Sequence, residues 1–152
     1  MDGTRIEPPT LPAEVVDVVR AIEAGSGRAW IVGGAVRDWL QGHAAREIDL
    51  ATDLEPRAVA AALGNSVAGE VTLDQEHLGA CRIRSGESDL TVTTLRSEAG
   101  HRDGRRPDEI RFVDDVAQDA VRRDFTVNAL YLAPFTGRVE DPTGGLHDLA
   151  RG

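Results

Sequence analysis

At 152 residues, with 41% hydrophobic and 28% charged residues, the chain has the composition of one globular domain able to bury a sizeable core. Its net charge of −9, from 17 basic and 26 acidic residues, argues against a broad nucleic-acid surface, whose affinity rests on cationic side chains. No apolar run approaches the ~20 residues of a membrane helix, and the acidic start MDGTRIEPPT is unlike a signal or transit peptide, so a cytoplasmic protein without a membrane partner is expected.

The first predicted element is a helix with Pro12 near its start, whose apolar stripe of Leu11, Val15, Val18, Val19 and Ile22 ends before Gly25. Residues 1–27 are expected to pack it against a domain spanning 28–152. Ala29 to Val32 read as a buried strand, ended by Gly33-Gly34 in a turn that lets backbone N–H groups approach a ligand. A helix from Ala35 to Leu40 follows, with Val36, Trp39 and Leu40 on one face and Gly42 as its stop. Residues 47–52 form the next strand, and Pro56 opens an alanine-rich helix to Leu63, closed by Gly64-Asn65.

Three strand-like runs, 66–73, 78–84 and 88–95, suggest a meander. Residues 97–108, with almost no apolar content, predict an exposed, mobile loop carrying Arg102, Arg105 and Arg106. A strand at 110–113, a helix at 114–122, a last strand at 129–132 and a turn at 134–137 complete the chain. The lone cysteine, Cys81, lies in an apolar-alternating stretch and predicts a buried structural thiol. His43, His77, His101 and His147 show no ligand spacing.

Within this order, residues 31–52 bring together groups suited to nucleotidyl transfer. Phosphate at the start of the second helix would meet free N–H groups and Arg37 in the first turn, a cradle for a triphosphate. On the following strand Glu47 and Asp49 share a face, where two carboxylates can converge on divalent ions, and hard oxygen donors suit magnesium or manganese. A glycine pair alone marks only a turn, and an E-x-D alone is usually a solvated face. Their occurrence in order, in one strand-turn-helix-strand unit, favours the chemical reading.

VGGAVRDWLQG, EIDLATD with Pro56 shortly after, VTTLRSEAGHRDGRRPDEIRFVDD, RRDFTVNAL and DPTGGLHDL together resemble the head domain of bacterial-type (class II) CCA-adding tRNA nucleotidyltransferases and the related poly(A) polymerases. The resemblance covers about residues 28 to 152. It implies an α+β fold of the polymerase-β-like nucleotidyltransferase kind, with a central mixed or antiparallel sheet flanked by helices. It further implies metal-dependent transfer of CMP or AMP from CTP or ATP to the 3′ end of a tRNA or other RNA. Gly33, Gly34 and Arg37 would then hold the triphosphate, Glu47 and Asp49 the metals, and Arg123, Asp124 and Asn128 the nucleotide. Asn128 follows Asp124 by four residues, so on a helical turn both reach one side; Asp124 is equally suited to cap a helix.

Three departures from the family accompany the matches. Glu47-Ile-Asp49 stands where relatives usually have Asp-x-Asp, and its extra methylene moves one carboxylate by ~1.5 Å. Thr91-Val-Thr-Thr94 stands where relatives usually have Glu-Val-Thr-Thr, which removes a third acid; Asp89, on the same strand face, is the candidate replacement as a catalytic group. Finally, helical neck, body and tail domains are expected to be absent after Gly152. RNA binding by so acidic a chain then calls for a helical partner subunit or a homo-oligomer, and the alternative is a catalytically silent nucleotide- or RNA-binding module or a fragment of a larger enzyme.

Overall fold

The computed structural model describes residues 3–64, 66–99 and 109–152. Helix α1 (Ala13–Ala24) begins after Pro12 and buries Val15, Val18, Val19, Ala21 and Ile22, the apolar stripe read from its spacing. Strand β1 (Ala29–Val32) is buried at all four positions because both of its faces are covered. Ala29 and Ile31 join the larger core with α1, whereas Trp30 and Val32 join a smaller one with Ala51, Leu95, Ala120, Ala129 and Tyr131. This smaller core lies on the sheet face that carries the site.

Helix α2 (Gly34–Leu40) follows, then β2 (Asp49–Thr52), α3 (Pro56–Leu63), β3 (Glu70–Gln75), β4 (Ala80–Ser85) and β5 (Ser88–Thr94). Strands β3, β4 and β5 form the predicted antiparallel meander. Because the meander returns the chain beside β2 in the same direction, β2 and β5 pair in parallel, with Leu50 against Val92 and Ala51 against Thr93. Strand β1 pairs antiparallel with β2 and with β8 (Tyr131–Leu132), and β9 (Val139–Glu140) closes the edge. Among the described residues the sheet thus has seven strands in the order β3-β4-β5-β2-β1-β8-β9, a mixed sheet in an α+β fold. Cys81 is fully buried within it.

Several boundaries differ from the sequence-based expectations. The strand predicted from Glu47 begins at Asp49, so Glu47 precedes the ladder and is exposed. The first meander strand is β3, at 70–75 instead of 66–73. The predicted exposed loop at 97–108 starts as a strand: β6 (Arg96–Ala99) pairs with β7 (Glu109–Phe112) as a separate two-stranded ribbon. Cross-strand hydrogen bonding there overrides a composition that reads as loop. The rest of that stretch, 100–108, with His101, Arg102, Arg105 and Arg106, lies outside the described residues.

Helix α4 is shorter than predicted, Val116–Ala120, and its N-terminus is capped by Asp115, whose carboxylate accepts from the Ala117 amide at 2.9 Å. Two elements had no periodic signal because of their shortness: β9, and α5 (Gly145–Arg151), where Asp141 accepts from the amides of Gly145 at 2.7 Å and Leu146 at 3.0 Å. No helix among the described residues is long and apolar enough to cross a membrane.

Candidate active site

The C-terminal end of β1 runs into Gly33, whose φ of 76° and ψ of −143° belong to the region that favours glycine. A Cβ built there would meet nothing within 4 Å, so this backbone is open to close approach by a ligand. A Cβ on Gly34 would come within 3.2 Å of an Arg37 Nη2, which places the Arg37 guanidinium beside the glycine pair. Arg37 Nη1 also donates to Asn128 Oδ1 at 3.2 Å, joining two candidate residues 91 positions apart in sequence. Asn128 ends a single 3-10 turn, Thr126–Asn128, packed near α2.

Next to this corner Asp49 opens β2. The parallel register sets it beside Thr91, and β5 turns Asp89, Thr91 and Thr93 away from the larger core because Leu90, Val92 and Thr94 fill the alternate, buried positions. Partial desolvation at the cleft and the neighbouring negative charge of Glu47 push the Asp49 carboxyl above its ordinary value, with Arg123 opposing them. A carboxylate crowded by another is a place where a cation relieves repulsion. Among the described residues, however, no three acidic, histidine or cysteine side chains gather to hold one. Two hard carboxylates fit magnesium all the same, since that ion is typically held by one or two carboxylates with substrate phosphates and water completing its shell.

Facing Asp49 is a wall of arginines. Asp49, Gly33, Thr91, Thr93, Arg96, Arg122 and Arg123 line an open cleft of about 390 Å³. The wall is tied together by Asp119, fully buried at the end of α4. Its carboxylate accepts from Arg122 Nε at 2.9 Å, Arg123 Nη2 at 3.0 Å and the Tyr131 hydroxyl at 2.6 Å. Burial alone would raise its pKa, but Arg123, the Tyr131 hydroxyl, Arg122 and the Arg96 amide together hold it below the ordinary carboxyl value. The same burial, with the nearby Asp119, pushes the Tyr131 phenol well above its usual range, against the opposing charge of Arg123.

Of the residues singled out from sequence, Gly33, Gly34, Arg37 and Asn128 meet at one corner, and Asp49 and Arg123 line one cleft. Glu47 and Asp89 line an adjoining cleft of about 380 Å³ that shares Asp49 and Thr91. Asp89 is already engaged: Arg82 Nε donates to it at 2.8 Å and lowers its pKa, so its charge is paired without a metal. Asp124 is exposed, and the chain around it is not helical; the 3-10 turn begins only at Thr126, capped by Phe125, so Asp124 and Asn128 do not share a helical side. Nor does Asp124 cap that turn.

Sequence reasoning passed over Asp119, Arg96 and Tyr131. For Asp119 a signal existed: it precedes Arg122 by three residues and Arg123 by four, spacings that bring opposite charges together on a helical turn. Arg96 and Tyr131 carried no such signal, being brought in by sheet pairing.

Comparison with known proteins finds the poly A polymerase head domain family matching residues 29–152. A CCA-adding enzyme of Lactiplantibacillus plantarum is 37% identical over 145 residues, covering 93% of this chain and 34% of the relative. The crystal structure of the Bacillus stearothermophilus CCA-adding enzyme in complex with CTP aligns with a TM-score of 0.75 at 26% identity, over 96% of this chain and 33% of that one. A tRNA nucleotidyltransferase complexed with a primer tRNA and an incoming ATP analog aligns with a TM-score of 0.65 at 28% identity, over 88% of this chain and 36% of its own. The chain spans about a third of the length of the curated relatives it matches.

Proposed function

Because the chain belongs to the poly A polymerase head domain family, we propose that it forms the catalytic head of a nucleotidyltransferase that transfers CMP or AMP from CTP or ATP to the 3′-hydroxyl of a tRNA or other RNA, with release of pyrophosphate. The carrying observation is the opposition of Asp49, with Glu47 at its side, to Arg123 across a cleft that opens at Gly33.

The triphosphate lies along the Gly33-Gly34 turn, with Arg37 neutralising charge and Asn128 holding Arg37 in place. Arg123 faces the same anion from the opposite wall. Glu47 and Asp49 would hold magnesium or manganese. Such ions, when bound, acidify the attacking hydroxyl and share the charge of the leaving pyrophosphate. The chain's own residues supply alignment and fixed positive charge, the main contributions a protein makes to phosphoryl transfer. At a net charge of −9 the chain needs basic surface from elsewhere to grip RNA, whether a helical segment or subunit or a second copy.

The test is incorporation of labelled CTP or ATP into tRNA lacking its CCA end, with magnesium. Asp49→Ala should lower it by about 10²–10³-fold or more, the scale for removing an electrostatic stabiliser; incorporation that survives the change overturns the assignment.

A second reading, a silent nucleotide-binding module, is favoured by Thr91 beside Asp49 and by the absence of a three-acid cluster among the described residues. Thr91→Glu separates the two: it should raise turnover in a weakened enzyme and leave a silent module silent.

A further inference from the structure

Asp119 takes no part in the reaction proposed above, yet every lone-pair direction of its buried carboxylate is occupied. One oxygen accepts from Arg122 Nε and from the Arg96 backbone amide, both at 2.9 Å; the other accepts from Arg123 Nε at 3.1 Å and Nη2 at 3.0 Å and from Tyr131. Three structural parts meet at this one group: the turn after α4 that carries both arginines, the sheet through Tyr131 on β8, and the base of the β6–β7 ribbon through Arg96.

The arginines need such an anchor. Their side chains are only 15% and 17% exposed, and Arg122 lies near enough to Arg96 to depress the latter's pKa, after the larger effect of desolvation. Without a shared anion, partly desolvated guanidinium groups repel each other and turn towards water. With it, Arg122 is held by Nε alone and Arg123 by Nε and Nη2, so Arg122 keeps both terminal nitrogens, and Arg123 one, unengaged by the described residues while both line the cleft.

We propose that Asp119 is a positioning residue, which aims Arg122 and Arg123 into the cleft as a paired contact for the phosphates of the nucleotide. Arg122 thereby becomes an anion contact in addition to Arg123. The aiming follows from the geometry alone; naming the anion as a nucleoside triphosphate rests on the nucleotidyltransferase reading.

The experiment uses the full chain as wild type, Asp119→Asn, which keeps shape and loses charge, and Tyr131→Phe, which removes one donor to Asp119 and one of the two acceptors of Arg123 Nε but leaves every bond between Asp119 and the arginines. Arginine Nε–H resonances are recorded without ligand, and affinities for CTP with magnesium and for pyrophosphate are measured by calorimetry. In the wild type, Arg122 and Arg123 should give slowly exchanging Nε–H signals. Asp119→Asn should lose them and bind CTP about tenfold or more weakly, a change of ~1.4 kcal/mol or more. Tyr131→Phe should keep the signals and bind within about twofold of wild type, although both variants melt earlier.

Persistent Nε–H signals, or unchanged CTP affinity, in folded Asp119→Asn would overturn the proposal. Should that variant not fold, Asp119→Glu, which keeps the charge and shifts it by a methylene, should fold and bind more weakly than wild type; wild-type binding by it overturns the proposal equally. A wild-type chain that binds neither CTP nor pyrophosphate sinks the nucleotidyltransferase reading instead, and the Nε–H spectra then decide the positioning role by themselves.

Discussion

Asp49 lines the cleft, Asp119 lies buried behind the arginines that face it, and the fold treats the two in opposite ways. Asp49, at the start of β2, is partly desolvated at the cleft and has another carboxylate for a neighbour, and its pKa is raised. Asp119, fully buried, has two guanidinium groups, a phenol and an amide, and its pKa is lowered. Folding therefore charges Asp49 at a cost and Asp119 at a gain. The difference separates two kinds of site residue: one left short of partners so that a ligand supplies them, the other saturated so that its neighbours cannot move. Preorganisation of the second kind lets groups of the first kind meet a substrate without rearrangement.

The largest effect should come from breaking the saturated side. Asp119→Ala leaves two partly desolvated guanidiniums without their anion and is expected to cost about 3–5 kcal/mol, read from urea denaturation. A lowered folded pKa means that the stabilisation from Asp119 is present above the ordinary carboxyl value of 3.8 and is lost as pH falls through the folded value. The gap between wild type and variant should accordingly narrow in acid; a gap independent of pH would show that the carboxylate's charge is not what stabilises the wall.

Next in size is the gain from adding an acid to the sparse side. Thr91→Glu should raise the rate of nucleotide incorporation about tenfold, a modest share of the ~10²–10³ that one electrostatic group supplies in other sites. Without metal it should also push the Asp49 carboxyl higher still, since a further like charge disfavours ionisation.

Asp49→Asn should move stability in the direction opposite to Asp119→Ala. A raised folded pKa makes the contribution of Asp49 most favourable below 3.8 and progressively lost as pH rises through the folded value. At neutral pH without metal the variant should therefore melt slightly above wild type while losing activity, with the advantage fading towards pH 3.8. Magnesium should raise the melting temperature of the wild type alone; an equal rise in both would overturn the proposal that Asp49 is a metal ligand.

The smallest effect is expected at Asp89. Its partner Arg82 is on the surface, and exposed ion pairs contribute little, so Asp89→Ala should leave the melting temperature unchanged. Activity should fall by about tenfold or less, well short of the loss for Asp49→Ala. A loss equal to that of Asp49→Ala would restore Asp89 as the replacement for the missing third acid.

Much of this was legible in the residues before any fold was known. The period of α1, the unbroken apolar run of β1, the Gly33-Gly34 stop and the β3–β5 alternation all follow from local rules of burial and backbone freedom. Local rules failed where pairing at a distance decided the outcome. Ser97 to Ala99 read as loop because no apolar pattern marks them, and they became part of a strand because β7 supplies partners. Asp124 looked like a helical neighbour of Asn128, but the chain between them is extended at Phe125 and turns only afterwards.

By itself the sequence determined the parts of the candidate site that lie close together along the chain: the open glycine at 33, the arginine beside it, and the proposed metal carboxylates 47 and 49. Their spacing along one strand-turn-helix-strand unit leaves them little freedom to be elsewhere. Only the tertiary structure decided which side of Asp49 the arginines occupy, and that Asp119 holds them. Those contacts join α4, β6 and β8 across the smaller core, and a pairing between distant segments is settled by what packs against the sheet, a quantity no local stretch of residues contains.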